Sequence, residues 1–396
     1  MSIYEGKYLI NLYFTVIYEL RELLMIRRLL QLAAIALLLN RCGASAADAQ
    51  NDPSGAIAFS IKQWKGDYVT SDTDVSKNTP CSGGIWTADL RSGKVRKLVD
   101  VGGMTANPVF SRDGHWLYFQ SNHTGTYEIY RCKPDGSEVQ NLTGPHNAKR
   151  EFESYGFSIS TDGRKILHTI HNGTVAKIAI MNADGSNRHP IDVPGVEYFY
   201  MGALSPDSQR MVFANVATDY SLMLADLASG KSRLLDKGSP HVRCMVPQFT
   251  SDGNHILYLK TDGDVYSIGP DGSHLKQLTH GNRYNTFYLS STDEHGSSDP
   301  PSLSPDNKHV AFIARREGVP QVFTMNLEGS DRRQITFRAS ACGRVKWSPD
   351  GRQLAFVSFE GRYPQLFIVS ADGGEPRRLT NLPAAVYFLN WRPNLP

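Results

Sequence analysis

Arginine and tyrosine side chains recur in the irregular segments of the chain, between short stretches of alternating polarity. Arginine binds carboxylates through two parallel hydrogen bonds, and tyrosine offers a flat surface against which a sugar or a peptide can pack. Together they predict a site for an acidic ligand, either a uronate oligosaccharide or a carboxylate-rich protein segment. The residues that we expect to line it are Arg150, Tyr198, Arg243, Arg283, Tyr284, His295, Arg315, Arg344 and Arg362.

The same arginines have a second interpretation, in which they only solvate a loop surface and pair with nearby acids. Exposed ion pairs of this kind are ordinary and contribute little to stability. Acids that could serve as partners are Glu151, Glu153, Glu197, Asp293, Glu294 and Glu360. The chain has 42 basic and 39 acidic residues, and this near balance does not support a nucleic-acid partner.

Histidine is the other residue type that could do chemistry, as a ligand of a divalent metal. The histidines of the irregular segments are His146, His241, His280 and His295. A metal site needs several ligands at fixed geometry, and no spaced ligand motif occurs. His168 and His171 lie on a predicted strand, where a separation of three places side chains on opposite faces. We therefore expect no cofactor and prefer solvated or hydrogen-bonded loop histidines.

A short turn recurs along the chain and predicts the elements that must position these loops. It has the form Ser-Pro-Asp-Gly with variations, and its aspartates lie 44 to 54 residues apart, in the range of a four-stranded propeller blade. These aspartates are Asp113, Asp162, Asp207, Asp252, Asp306 and Asp350. An alternating apolar run follows each turn, and a second turn with a glycine joins the next pair of strands. The glycines of the second turn are Gly93, Gly136, Gly185, Gly230, Gly272, Gly329 and Gly373.

The two ends of the chain decide the number of blades. The first repeat begins at Gly55 without its leading strand, and Val386 to Asn394 repeats the phrase around Asp350. We therefore predict an all-β fold, a closed seven-bladed β-propeller of four-stranded antiparallel blades, in which the C-terminal strand completes blade 1. Closure leaves only short, protected strand edges.

Residues 25–46 have the order of a secretory signal peptide: Arg27 and Arg28, the apolar run Leu29–Leu39, then Ala44-Ser45-Ala46. The apolar run is too short to span a bilayer. We expect residues 1–46 to be an N-terminal extension with this signal and residues 47–396 to be the propeller. The mature chain is expected to be a periplasmic or secreted monomer without a transmembrane segment.

In a propeller both kinds of turn lie on one face, here called the hairpin face. The loops between second and third strands and between blades lie on the opposite face, here called the loop face. The turn aspartates and glycines are best explained as turn formers. The irregular segments fall on the loop face, where function is usually carried: Lys62–Gly84, Gly144–Glu153, Asp192–Tyr200, Lys237–Val246, His280–Pro301 and Phe337–Arg344.

The repeats resemble the TolB-like β-propeller family, whose repeat is also known as WD40-like or PD40. The resemblance extends over about residues 55 to 394. The phrases that carry it are Pro301–Asp306, Val310–Phe312, Gln321–Met325, Gln334–Thr336, Trp347–Gly351 and Arg378–Thr380. Such propellers occur in envelope scaffolds, in oligogalacturonate lyases and in prolyl-oligopeptidase-type enzymes, so the resemblance indicates the fold and leaves the function open.

The resemblance makes the functional alternatives concrete. TolB carries an α/β domain ahead of its propeller, and we expect it to be absent because about eight residues separate the predicted cleavage site from the first strand. Prolyl-oligopeptidase-type enzymes need a G-x-S-x-G elbow, which does not occur. Oligogalacturonate lyases hold a divalent metal, such as manganese or calcium, in a histidine cluster, a role that the resemblance would give to the four loop histidines. We expect a non-catalytic binding scaffold, with a metal-dependent lyase of acidic oligosaccharides as the alternative.

Overall fold

The fold is all-β in the residues that the computed structural model describes, which are 55–64, 80–144, 152–172, 176–196, 199–215, 220–239, 242–281 and 300–394. Their strands form seven four-stranded antiparallel sheets. The predicted extension and signal, residues 1–46, lie outside the described residues. Within the described ranges no helix is long and apolar enough to cross a lipid bilayer.

Blade 1 contains both ends of the described chain, and blades 2 and 3 are the next two repeats. Blade 1 consists of β28 (Ala385–Trp391), β1 (Ala56–Trp64), β2 (Pro80–Asp89) and β3 (Val95–Val99). Blade 2 consists of β4 (Thr105–Phe110), β5 (Leu117–Ser121), β6 (Glu128–Cys132) and β7 (Gln140–Asn141). Blade 3 consists of β8 (Glu153–Ile159), β9 (Lys165–His171), β10 (Ala176–Asn182) and β11 (His189–Pro190).

The remaining four sheets follow the same order from the innermost strand outward. Blade 4 consists of β12 (Phe199–Leu204), β13 (Arg210–Asn215), β14 (Ser221–Asp226) and β15 (Ser232–Asp236). Blade 5 consists of β16 (Cys244–Phe249), β17 (Ile256–Lys260), β18 (Val265–Ile268) and β19 (Lys276–Gln277). Blade 6 consists of β20 (Ser302–Leu303), β21 (His309–Arg316), β22 (Val319–Asn326) and β23 (Arg333–Gln334). Blade 7 consists of β24 (Cys342–Trp347), β25 (Gln353–Ser358), β26 (Gln365–Ser370) and β27 (Arg377–Arg378).

The predicted closure of the ring is confirmed. Strand β28 pairs antiparallel with β1, and Ile57 lies opposite Trp391 while Ile61 lies opposite Val386. The C-terminal segment is therefore the innermost strand of blade 1. Its pairing joins the two ends of the described chain through backbone hydrogen bonds.

The apolar core is divided into clusters that each lie between two neighbouring blades. The cluster between blades 7 and 1 contains Phe59, Leu366 and Trp391, and the cluster between blades 6 and 7 contains Val322, Phe356 and Phe367. Equivalent clusters occupy the other five seams. Each blade therefore buries both of its faces, and a strand such as β26 is accordingly buried along nearly its whole length. Each blade also depends on both neighbours for its core.

The first irregular segment is shorter than predicted. We expected it to begin at Lys62 and to end at Gly84, but β1 continues to Trp64 and Lys62 pairs with Gly83. The ladder continues because backbone hydrogen bonds do not require apolar side chains. As a result Lys62 is a buried sheet residue, 2% exposed.

Candidate functional site

The hairpin face is built from turns whose aspartates accept local hydrogen bonds. Asp207 accepts a hydrogen bond from the Ser205 hydroxyl and another from the backbone N–H of Gln209, and these two bonds lower the pKa of its carboxyl. The same hydroxyl–carboxylate pair recurs at Ser111–Asp113, Ser160–Asp162, Thr250–Asp252, Ser304–Asp306 and Ser348–Asp350. The prediction that these aspartates form turns is confirmed.

Among the described residues, cavities open on the hairpin face. One of about 230 Å³ lies among inner-strand ends and includes Trp391, and one of about 280 Å³ lies between blades 6 and 7. The second is lined by Asp306 and Asp350, whose carboxylates already hold their turns. These cavities lie in the gaps between regular turns, and none of the predicted site residues lines them.

The loop face of blade 6 is positioned by a buried threonine. The Thr336 hydroxyl donates to Gln321 Oε1 at 2.8 Å and accepts the backbone N–H of Val322 at 2.9 Å. The Gln321 side chain in turn bonds the backbone N–H and carbonyl of Arg338, both at 3.0 Å. We call this arrangement the hydroxyl clamp. It fixes the backbone on both sides of Phe337 where the chain leaves the sheet.

The same clamp in blade 7 positions the strand that closes the ring. The Thr380 hydroxyl donates to Gln365 Oε1 at 2.8 Å and accepts the backbone N–H of Leu366 at 2.9 Å. Gln365 then binds the backbone of Leu382 and of Ala384, at 2.9 and 3.1 Å. Since β28 begins at the next residue, the clamp sets its entry into blade 1.

The innermost strands carry a recurring bulge that faces the next blade. In β24 the pairing with β25 shifts between Gly343 and Lys346, and Arg344 has a φ of 58°. The equivalent bulges place Asn107, Gly156 and Val246 in the same positive-φ conformation. The bulge therefore belongs to the architecture, but its occupant differs from blade to blade. In blade 7 the occupant is an arginine that is only 6% exposed.

Arg344 lies in a group of basic and aromatic side chains on the loop side of blades 7 and 1. Its guanidinium stacks over the Phe388 ring with the centroid 4.4 Å away, and Lys62 Nζ lies 4.4 Å from the centroid of the Tyr387 ring. Such contacts stabilise a cation against an aromatic face. Phe359, Tyr363 and Phe388 pack against the buried pair Ala385 and Tyr387, and Arg362 lies over the Tyr363 ring. We define the basic–aromatic cluster as Lys62, Arg344, Phe359, Arg362, Tyr363, Tyr387 and Phe388.

At the rim of the cluster, an arginine of the irregular segment Phe337–Arg344 pairs with an acid, as the second interpretation expects of loop arginines. Arg338 forms an ion pair with Glu360, one of the acids named as a candidate partner. Its guanidinium also lies over the Phe367 ring, 4.6 Å from the centroid. Arg338 therefore fixes the β25–β26 loop against the blade 6 loop.

Two further predicted residues make local contacts elsewhere on the loop face. Arg243 is exposed and stacks over the Tyr220 ring at 4.0 Å. Arg315, at the end of β21, donates to the Gly318 carbonyl at 2.6 Å within its own hairpin. Of the predicted ligand-binding residues, the structure brings Arg344 and Arg362 into the basic–aromatic cluster. Arg150, Tyr198, Arg283, Tyr284 and His295 lie outside the described residues.

The predicted histidine ligands are largely outside the described residues as well. His146, His241 and His295 belong to that undescribed part, and His280 is exposed. Among the described residues, no three or more His, Cys, Asp or Glu side chains are grouped so that they could hold a metal ion. His168 and His171 lie on strand β9 as expected.

Sequence reasoning missed Lys62, Tyr387 and Phe388. Lys62 was assigned to an insertion because the apolar alternation ends at Ile61: Lys62 and Gln63 are both polar, so no local pattern indicated the longer strand. Tyr387 and Phe388 were recognised only as part of the closing strand. Their functional interest comes from the cations stacked on them, and these contacts depend on closure of the ring.

The comparisons with known proteins agree with this architecture. The family model described as the TolB beta propeller domain matches residues 288–394. The TolB homolog of Chlorobium luteolum is 29% identical over 132 residues, 32% of this chain and 26% of the relative. Dipeptidyl-peptidase 5 of Porphyromonas gingivalis is 36% identical over 320 residues, 68% of this chain and 46% of the relative. The chain spans less than half the length of these curated relatives.

The fold is also found in a solved enzyme structure. An oligogalacturonate lyase in complex with manganese has a TM-score of 0.56 over 78% of this chain and 90% of that chain. The sequence identity is 14%, so this likeness concerns the fold alone. The matching repeat model and the seven closed four-stranded blades together show that the chain belongs to the TolB-like β-propeller family.

Proposed function

We propose that the protein is an exported, non-catalytic binding scaffold that takes an acidic ligand or partner segment at the basic–aromatic cluster. Export rests on the signal predicted at residues 25–46. The observation that carries the binding proposal is Arg344, a buried arginine on the inner-strand bulge of blade 7. Other blades fill this bulge with Asn107, Gly156 or Val246. Since the fold accepts those residues, it does not require an arginine there.

The chemistry of the cluster suits carboxylate recognition. A guanidinium offers a planar fork of donors that matches a carboxylate, and the stacked Phe388 ring keeps the Arg344 side chain in one orientation. Arg362 adds a second guanidinium at the exposed edge. The low-dielectric surroundings of a buried cation strengthen its attraction for an anion. A carboxylate that enters from the loop side would meet the exposed arginine first and the buried one next.

Arg344→Asn tests the proposal without disturbing the bulge, because Asn107 occupies the matching position in blade 2. We expect the Kd for fluorescein-labelled oligoglutamate to rise about tenfold or more, with an unchanged melting temperature. Trigalacturonate serves as the second probe. Arg352→Ala, which removes an exposed arginine from the hairpin face, is the matched control. Equal binding by Arg344→Asn and the wild type, or an equal loss in Arg352→Ala, would contradict the proposal.

The alternative is a metal-dependent lyase that acts on acidic oligosaccharides. It is supported by the shared fold with a manganese-bound oligogalacturonate lyase. The test is incubation of the full chain with polygalacturonate and Mn²⁺, followed by ultraviolet absorbance of the unsaturated product. A metal-dependent increase in absorbance would replace the scaffold with the lyase. Binding of uronates without product would support the scaffold.

A further inference from the structure

Phe337 is an apolar side chain held outward on a fixed backbone. It is 75% exposed, although the preceding residue, Thr336, is completely buried. The following residue, Arg338, has both its backbone N–H and its carbonyl bonded to Gln321. The exposure of Phe337 therefore occurs between two anchored residues.

The other blades show that the fold does not need a phenylalanine at this position. The residue after the clamp threonine is Gly144 in blade 2, His280 in blade 5 and Asn381 in blade 7. All three are small or polar. A single exposed apolar side chain is ordinary on a protein surface, but an apolar group that extends a cluster of aromatic side chains rimmed by polar residues is typical of an interaction site. The presence of phenylalanine in blade 6 alone among these four points to recognition.

Phe337 adjoins the basic–aromatic cluster. Its neighbour Arg338 is paired with Glu360, and Arg362 and Tyr363 follow Glu360 in the same loop of blade 7. An exposed aromatic ring next to arginines and tyrosines has the composition of an interface hot spot. The surface thus combines one apolar anchor point with buried and exposed positive charge.

We propose that this surface docks a segment of a partner protein that combines apolar with acidic side chains, with Phe337 as the apolar anchor at its rim. The proposal rests on the proposed function, because the cluster supplies the carboxylate contacts. Charge complementarity requires an acidic ligand. Phe337 adds a preference for ligands that also carry apolar side chains, which charge alone does not give. A uronate polymer carries hydroxyls and carboxylates throughout, whereas a peptide can place an isobutyl or phenyl group against the ring.

The experiment uses the full chain and two synthetic peptides of equal charge, one alternating leucine with glutamate and one alternating serine with glutamate. We expect the wild type to bind the leucine peptide about tenfold or more tightly than the serine peptide. Phe337→Asn, chosen because Asn381 fills the same position in blade 7, should abolish this preference and retain the weaker binding of the serine peptide. Leu275→Asn is the matched control, since Leu275 is also exposed, at 52%, but lies in blade 5. Thermal melting of both variants checks that the fold is intact.

Each outcome separates the two proposals. If both peptides and trigalacturonate bind equally and Phe337→Asn changes nothing, the apolar anchor is wrong and the acidic-ligand function stands. If no acidic probe binds to the wild type, the proposed function fails and the docking inference fails with it. A second copy of the protein is the remaining candidate occupant of the surface. Sedimentation of the wild type and of Phe337→Asn tests for it. Self-association that depends on Phe337 would mean that a second copy covers the surface, which overturns the inference.

Discussion

Arg344 and His168 illustrate how the ring gives individual side chains environments that their types do not reveal. Arg344 is buried on a strained bulge against a ring from the neighbouring blade. His168 is 1% exposed, and Arg188 Nε donates to its Nε2 at 3.3 Å. This contact requires an unprotonated Nε2, so the proton of the neutral imidazole is on Nδ1, which lies 3.4 Å from the Thr169 carbonyl. Burial and the charge of Arg188 lower the pKa of His168 to about 3.

The depressed pKa of His168 predicts a loss of stability in mild acid. The histidine titrates near 6.5 in the unfolded chain and near 3 in the folded one, so the unfolded state binds its proton first. Its contribution to the free energy of unfolding is therefore complete above pH 6.5 and falls progressively as the pH drops toward 3. His168→Gln should flatten this dependence in urea titrations carried out above about pH 5.5, where most carboxylates stay ionised. His171→Gln is the control on the same strand, and parallel curves for wild type and His168→Gln would contradict the assignment.

At the end of the fourth strand of blade 6, a side-chain hydroxyl replaces a backbone carbonyl as a hydrogen-bond acceptor. The phrase Gln334-Ile335-Thr336 carries part of the family resemblance, yet β23 contains only Arg333 and Gln334. The chain turns away because the Thr336 hydroxyl, in place of a backbone carbonyl, accepts the N–H of Val322. The outer edge of the blade is thereby kept short, which protects it from pairing with other chains. The clamp also orients the loop that carries Phe337.

Removal of one clamp hydroxyl should destabilise the blade measurably. Thr336→Val keeps the shape of the side chain but leaves the buried Val322 N–H and Gln321 Oε1 without the hydroxyl. We expect a loss of about 1–3 kcal/mol in the free energy of unfolding, measured by urea denaturation. Thr336→Ser restores the hydroxyl and should recover most of it. If valine kept the wild-type stability and serine lost it, packing of the methyl group and not the hydrogen bonds would explain the threonine.

At the scale of the whole molecule, stability depends on closure, because the core exists only between neighbouring blades. Strand β28 contributes buried Val386, Leu389 and Trp391 to the cluster between blades 7 and 1. Each large apolar side chain contributes about 1.5–3 kcal/mol on burial. A domain is typically stable by only about 5–15 kcal/mol in total. The closing strand thus supplies a large share of what keeps the ring folded.

Deletion of residues 385–396 should therefore unfold the propeller as a whole. The deletion removes the inner strand of blade 1 and exposes the edge of β1 together with the apolar seam to blade 7. We expect insoluble protein, or soluble protein without a cooperative thermal transition by circular dichroism. Removal of residues 395–396 alone is the control. A soluble deletion variant with the wild-type melting temperature would show that closure is dispensable.

The sequence by itself determined the repeat, the blade count and the closing strand, because turn chemistry and the two-residue alternation of strands are local properties. Serine, aspartate and glycine act within a few residues of one another, so their spacing alone indicates the turns. The tertiary structure decided which side chains share a site. Lys62 and Arg344 lie near adjacent rings of Tyr387 and Phe388 only because β28 pairs with β1 and blade 7 packs against blade 1. Burial of Arg344 and exposure of Phe337 follow from those long-range contacts, and no local pattern contains them.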